Sequence, residues 1–136
     1  MKSFLPILVV ILFCTAASVG ADRAEKAASE SANQWLALVD KGDYATSWDE
    51  AAPLFKGAVS KERWTQLLQA TRAPLGKALS RTLKSAVYKT SLPGAPDGQY
   101  VVIQYETSFE HKKSAIETVT PSLGPDQWRV SGYYIR

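Results

Sequence analysis

Between residues 22 and 76 apolar side chains recur every three or four positions; beyond Gly76 they recur every second one. A period near 3.6 belongs to helices and a period of two to strands. Helices first and strands afterwards predict an α+β domain, with about three N-terminal helices on one face of a curved, roughly four-stranded antiparallel sheet.

The helical half reads in three pieces. Ala24, Ala28, Ala32, Trp35, Leu36 and Val39 form one stripe. Asp22 is placed to complement that helix's N-terminus, and Lys26 follows it at a pairing distance of four. In "DKGDYATSW" (40–48) Gly42 is suited to a left-handed C-cap and Asp43 to the next N-cap. Tyr44 and Trp48 then share a helix face, so the stretch reads as a corner between helices. Pro53 disfavours helix at Ala52, so the second helix kinks or restarts there. Ser60 is a further N-cap, with Val59 and Trp64 spaced as a hydrophobic staple. This helix stops within "RAPLG" (72–76).

In the strand half, "YVVIQYETSF" (100–109) alternates cleanly. Val101, Ile103, Tyr105, Thr107 and Phe109 take one face; Tyr100, Val102, Gln104, Glu106 and Ser108 take the other. Weaker strands are expected over 80–91 and 115–120, and a fourth over 128–135. "LPGAPDG" (92–98), "HKK" (111–113) and "LGPD" (123–126) are turns. Gly132 marks a bulge or a close backbone approach.

The first residues carry a different signal. Lys2 precedes an apolar run from Phe4 to Phe13, and small residues lead to Val19-Gly20-Ala21. That pattern is a cleavable export signal over 1–21, cut between Ala21 and Asp22, with one domain over 22–136. The run is short for a membrane span. Phe13 before Cys14 argues against a lipobox, so the chain's one cysteine leaves with the leader. Removal of Lys2 lowers the formal net charge by one from +3. The location expected is periplasmic or secreted. No basic stripe with interleaved aromatics is present, which excludes a nucleic-acid partner. One histidine and no remaining cysteine give no metal site, and no cofactor is implied.

Glu117 is the most interesting carboxylate, because it alternates with Ala115 and Val119. Two readings stand. If that face lines a pocket, Glu117 is a general acid or base. Otherwise it is solvated or paired with Arg129 or Arg81. Arg72 and Arg81 either clamp an anionic ligand or cap carbonyls and pair with Glu106 and Glu117. Tyr44, Trp48, Trp64, Tyr105, Trp128 and Tyr133 either line an aromatic cavity or fill the core. In the second case Trp48→Ala is expected to cost about 3–5 kcal/mol. His111, at a hairpin tip, reads as solvated.

"WLALVDKGDYATSW" (35–48), Trp64, "RAPLG", Arg81, "LPGAPDGQY", Glu117 and "WRVSGYYIR" (128–136) together resemble the bacterial family catalogued as Domain of Unknown Function 4019. That resemblance implies export and no assigned reaction. The order of elements is also similar to the nuclear-transport-factor-two-like superfamily and to cystatin-like folds. In the former, helices cover a curved sheet around a conical pocket used for isomerase or hydrolase chemistry or for binding. Three functions follow as expectations: a non-catalytic module binding a small molecule or an envelope protein, a small pocket enzyme using Glu117, or a dimeric envelope structural protein joined through Tyr100 and Val102.

Overall fold

The computed structural model describes residues 16–136. The apolar run of residues 4–13 and Cys14 lie outside the described residues. Helix α1 (Ala16–Asp40) is followed by α2 (Tyr44–Asp49), α3 (Pro53–Ala58) and α4 (Lys61–Thr71). A short 3-10 turn over Ala73–Leu75 leads into four strands: β1 (Ala78–Lys89), β2 (Tyr100–Phe109), β3 (Lys112–Leu123) and β4 (Trp128–Ile135). All pairings are antiparallel and spatial order equals chain order, β1-β2-β3-β4. The α+β layout is therefore as the change of period requires. Among the described residues no helix is long and apolar enough to cross a membrane.

Helix boundaries follow local chemistry. Gly42 has φ 78°. Its N–H donates to Val39 C=O at 3.0 Å, and Asp43 N–H donates to Leu38 C=O at 2.9 Å. That pair of bonds is a Schellman motif, which satisfies carbonyls left open at the end of α1. Asp43 is thereby diverted from capping. With ψ at 63° it leaves the extended conformation, and its side chain makes no cap bond. Ser60 keeps extended angles and accepts from Arg63 N–H at 3.2 Å. Ala52 is also extended, and Pro53 opens a new helix at its first position, so a restart makes four helices of the expected three. Helix α1 is already formed at Ala16, so Asp22 lies inside it and not in its first turn. The Ala21–Asp22 junction also falls within α1.

The core lies between α1 and the inner face of the sheet. Ala28, Ala32, Leu36 and Val39 from the predicted stripe meet Val101, Ile103, Val119 and Val130. Trp35, Phe55, Trp64 and Tyr133 fill the wider end. Trp35 and Tyr133 centroids stand 5.2 Å apart edge-on, and Phe55 and Trp64 4.7 Å apart. Edge-to-face stacking favours such contacts.

The inner face of β2 is the predicted one, with Val101 through Phe109 buried at every second position. Tyr100 departs from the expected outer face. It is only 4% exposed, because its hydroxyl donates to Pro96 C=O at 2.5 Å and its ring packs beside Gly98. The β1–β2 loop thus folds over it. In β4 a register shift places Ser131 as an extra residue opposite Thr120 and Pro121, beside Gly132.

Candidate functional site

Glu117 sits on the inner face of β3 and is 0% exposed. Its Oε1 accepts from Arg81 Nε at 2.8 Å and from Thr107 Oγ1 at 2.5 Å. Its Oε2 accepts from the Tyr133 hydroxyl. The donors come from β1, β2 and β4: in this meander β2 and β4 flank β3, and Arg81 reaches over β2 from β1. Arg81 turns its other two nitrogens to Asp40, at the end of α1, with contacts of 2.8 and 3.0 Å. Arg72, the C-cap of α4, reaches the same carboxylate at 3.2 Å and Gly76 C=O at 2.6 Å. Its guanidinium lies 4.5 Å from the Phe109 ring centre. Arg72 Nε is buried with no partner.

Both arginines are engaged by the protein's own groups: Arg72 by the Gly76 carbonyl and Asp40, Arg81 by Glu117 and Asp40. Glu106 takes no part; it is exposed on the outer face.

Electrostatics follow from this arrangement. Burial works against ionisation of Asp40, but the bonds and charges of Arg81 and Arg72 hold it below its ordinary value of 3.8. Burial also works against the Arg81 cation. Asp40 and Glu117 more than offset this, so its proton is held more tightly than usual. Burial, then the charge and hydrogen bond of Glu117, push Tyr133 well above the ordinary tyrosine range. Burial raises Tyr105 too, against the lowering influence of Arg81. Tyr133 therefore stays a donor at neutral pH. Two carboxylates and two guanidiniums balance in charge, and Glu117 lends both oxygens to protein donors. A general acid or base needs access to a substrate proton, and Glu117 has no exposed surface.

The remaining predicted site residues divide. Tyr44 and Tyr105 are buried, the latter donating to Asn33 Oδ1 at 2.9 Å. Trp64 is buried, and its indole N–H donates to Ser47 Oγ at 3.0 Å. Trp48 is only half-buried. Its N–H donates to Val59 C=O at 2.8 Å, and Lys56 and Lys61 hold their ammonium groups 5.6 and 5.9 Å from its ring. It is a lid on the helical layer and not a core residue. His111 is exposed at the β2–β3 tip, as expected.

Trp128 alone among the predicted aromatics opens onto a groove of mixed polar and apolar lining. This groove, about 320 Å³, runs between α1, α2 and the start of β4. Trp128 and Leu38 supply its apolar surface over the buried Trp35; Gln34, Glu50, Gln127 and Arg129 stand around it. Arg129 Nη1 lies 3.8 Å from Glu50 Oε2. With the Gln127 amide oxygen turned toward it, Arg129 also donates through Nε at 3.2 Å and Nη2 at 2.6 Å. A second groove of about 230 Å³, mostly apolar, lies between α4 and β4 and touches Trp64, Leu67, Tyr133 and Tyr134. Glu117 lines neither. Among the described residues no group of three or more His, Cys, Asp or Glu is placed to hold a metal ion.

Sequence reasoning missed Asp40, Thr107 and Ser47. Thr107 had a signal, since its parity in β2 places a polar residue on the inner face. The groove residues Gln34, Glu50, Gln127 and Arg129 had none.

The model of a protein family described as "protein of unknown function (DUF4019)" matches residues 31–133. The chain belongs to that family. The match runs from the middle of α1 into β4, and so takes in all four charged members of the buried network and the groove between α1, α2 and β4. A comparison with curated proteins gave no match.

Proposed function

We propose that this member of the family is an exported, non-catalytic binding module, and that its ligand sits in the groove formed by α1, α2 and the start of β4. One observation carries the reading. Glu117, the one carboxylate with an enzyme-like setting, is sealed from solvent and engaged by Arg81, Thr107 and Tyr133. The chemistry-bearing residues therefore brace the fold, and the solvent-facing polar groups gather elsewhere. The groove's size is at the lower end of small-molecule sites, and its make-up is the usual one of apolar walls with a few converging polar groups. Export is supported by the leader-like residues 1–21.

The test is a fragment screen on the isotope-labelled protein, followed by backbone and indole N–H cross-peaks. Perturbations are expected to cluster at Gln34, Trp128 and Arg129, with fragments recovered unchanged. Perturbations centred on Tyr133 and Glu117, or chemical conversion that Glu117→Gln abolishes, would overturn the reading in favour of a pocket enzyme.

A further inference from the structure

We infer that the groove between α1, α2 and β4 takes a neutral saccharide; this rests on the binding-module reading above and narrows it to a ligand class. The first observation concerns the indoles. Trp35 donates to Ser47 C=O, Trp48 to Val59 C=O and Trp64 to Ser47 Oγ. Trp128 Nε1 has no protein acceptor among the described residues, yet it is not a buried orphan, so it is open to water. The groove thus holds the one indole whose donor is available to a ligand.

The second observation is charge. Arg129 and Glu50 meet at 3.8 Å beside the groove and offset each other, which removes the bias toward an anion or a cation. The third is the distribution of polar groups. Donors and acceptors stand around the Trp128 indole: the amides of Gln34 and Gln127, the hydroxyl of Thr46, the guanidinium and the carboxylate. A planar base presents hydrogen-bonding groups along only part of its edge. A sugar ring presents hydroxyls around its whole perimeter, each both donor and acceptor. It also offers a face of C–H bonds suited to the negative face of an indole.

The fourth observation is preorganisation. Ser31 Oγ donates to Trp128 C=O at 2.8 Å and ties α1 to the start of β4. With its amide oxygen turned toward Arg129, Gln127 accepts from that guanidinium through two contacts. Fixed walls reduce the ordering cost that weakens binding by shallow sites.

The experiment titrates the purified protein with maltotriose, triacetylchitotriose, citrate and adenosine, following the Trp128 indole cross-peak. At least one saccharide is expected to shift it in a saturable manner. Gln34→Ala and Gln127→Ala, both exposed positions, are expected to weaken that binding about three- to tenfold, the worth of one hydrogen bond. Their melting midpoints are expected to stay unchanged. A shift by citrate or adenosine alone would overturn the saccharide assignment while leaving the groove a binding site. Silence with both saccharides, or undiminished saccharide binding by both variants, would overturn it as well. Perturbation only outside the groove would sink the binding-module reading together with it.

Discussion

Arg81 Nε donates to Glu117 Oε1 at 2.8 Å across 36 residues of sequence. That bond joins β1 to β3 across β2, and Arg81 continues to Asp40 on α1. The same network reaches α4 through Arg72. One guanidinium thus locks the helical layer onto the sheet. Removing Glu117 would leave Arg81 partly unpaired, and Thr107 and Tyr133 without an acceptor. Breaking a buried pair from one side costs about 3–5 kcal/mol. Glu117→Ala is expected to lose stability on that scale in urea denaturation, with the m-value unchanged. A loss below about 1 kcal/mol would show that the network contributes no more than a surface pair.

Stability is expected to vary with pH at both ends. Asp40 is held below its ordinary value of 3.8 in the folded state. A depressed carboxyl contributes stability above the unfolded value and loses it as pH falls through the folded one. The loss therefore begins near pH 4 and deepens below. Tyr133 is raised above its ordinary 10.0, so its contribution is complete below pH 10 and is lost as pH rises further. Asp40→Asn should flatten the acid limb and Tyr133→Phe the alkaline limb, each with little effect on the other. Denaturant midpoints measured from pH 2.5 to 11 decide this. An acid limb that Asp40→Asn leaves intact would remove Asp40 from the account.

The sheet was legible where parity was strict. β2 and β4 match their expected bounds because alternation and flanking turns agree there. β3 runs longer than its pattern implies and β1 starts and ends two residues earlier, since outward and edge positions tolerate polar residues and blur the ends of the alternation. The buried network was only half legible. Glu117 and Arg81 were visible as a possible pair, and that pairing is present. Asp40 read as part of a corner, because nothing local shows that the end of α1 lies over β1, 41 residues away. Its four-residue spacing from Tyr44 leaves Trp48 either a cavity wall or a core residue, and the ring is half-buried against the edge of the core. Helix α2 is a single six-residue element, and its buried face runs from Tyr44 to Ser47, one position off the four-residue step. Trp48→Ala is therefore expected to fall below the 3–5 kcal/mol of a fully buried aromatic.

Ser47 is the least conspicuous of the structural residues and the hub of the helical layer. Its carbonyl accepts from Trp35 and its hydroxyl from Trp64, while that hydroxyl donates to Tyr44 C=O at 2.6 Å. Ser47→Ala removes the side-chain bonds and leaves the Trp64 N–H buried and unpaired. Such a group costs about 1–3 kcal/mol. The bond from Trp35 to the Ser47 carbonyl should survive. Near-ultraviolet circular dichroism is expected to change in the indole bands with far-ultraviolet signal retained. A variant as stable as the parent would mean that Trp64 finds another acceptor.

Gly76 meets two demands at once. Its φ of 76° with ψ of −157° is a conformation that side chains rarely adopt. A Cβ there would also stand 2.9 Å from Glu110 Cβ and 3.1 Å from the His111 ring. The contact is close because the turn after α4 docks on the β2–β3 tip. His111 N–H donates to Leu75 C=O at 2.9 Å, Glu110 N–H to Lys77 C=O at 3.0 Å, and Lys77 N–H to Glu110 Oε1 at 2.7 Å. Gly76 C=O in turn accepts from Arg72, so a shift of this turn propagates to Asp40 and Arg81. Gly76→Ala is expected to destabilise by about 1–3 kcal/mol from backbone strain. Amide exchange at Glu110 and His111 is expected to quicken first, because the hairpin tip must move to admit the methyl group. Equal protection of these two amides in the variant and the parent would show that the tip is not held by this turn.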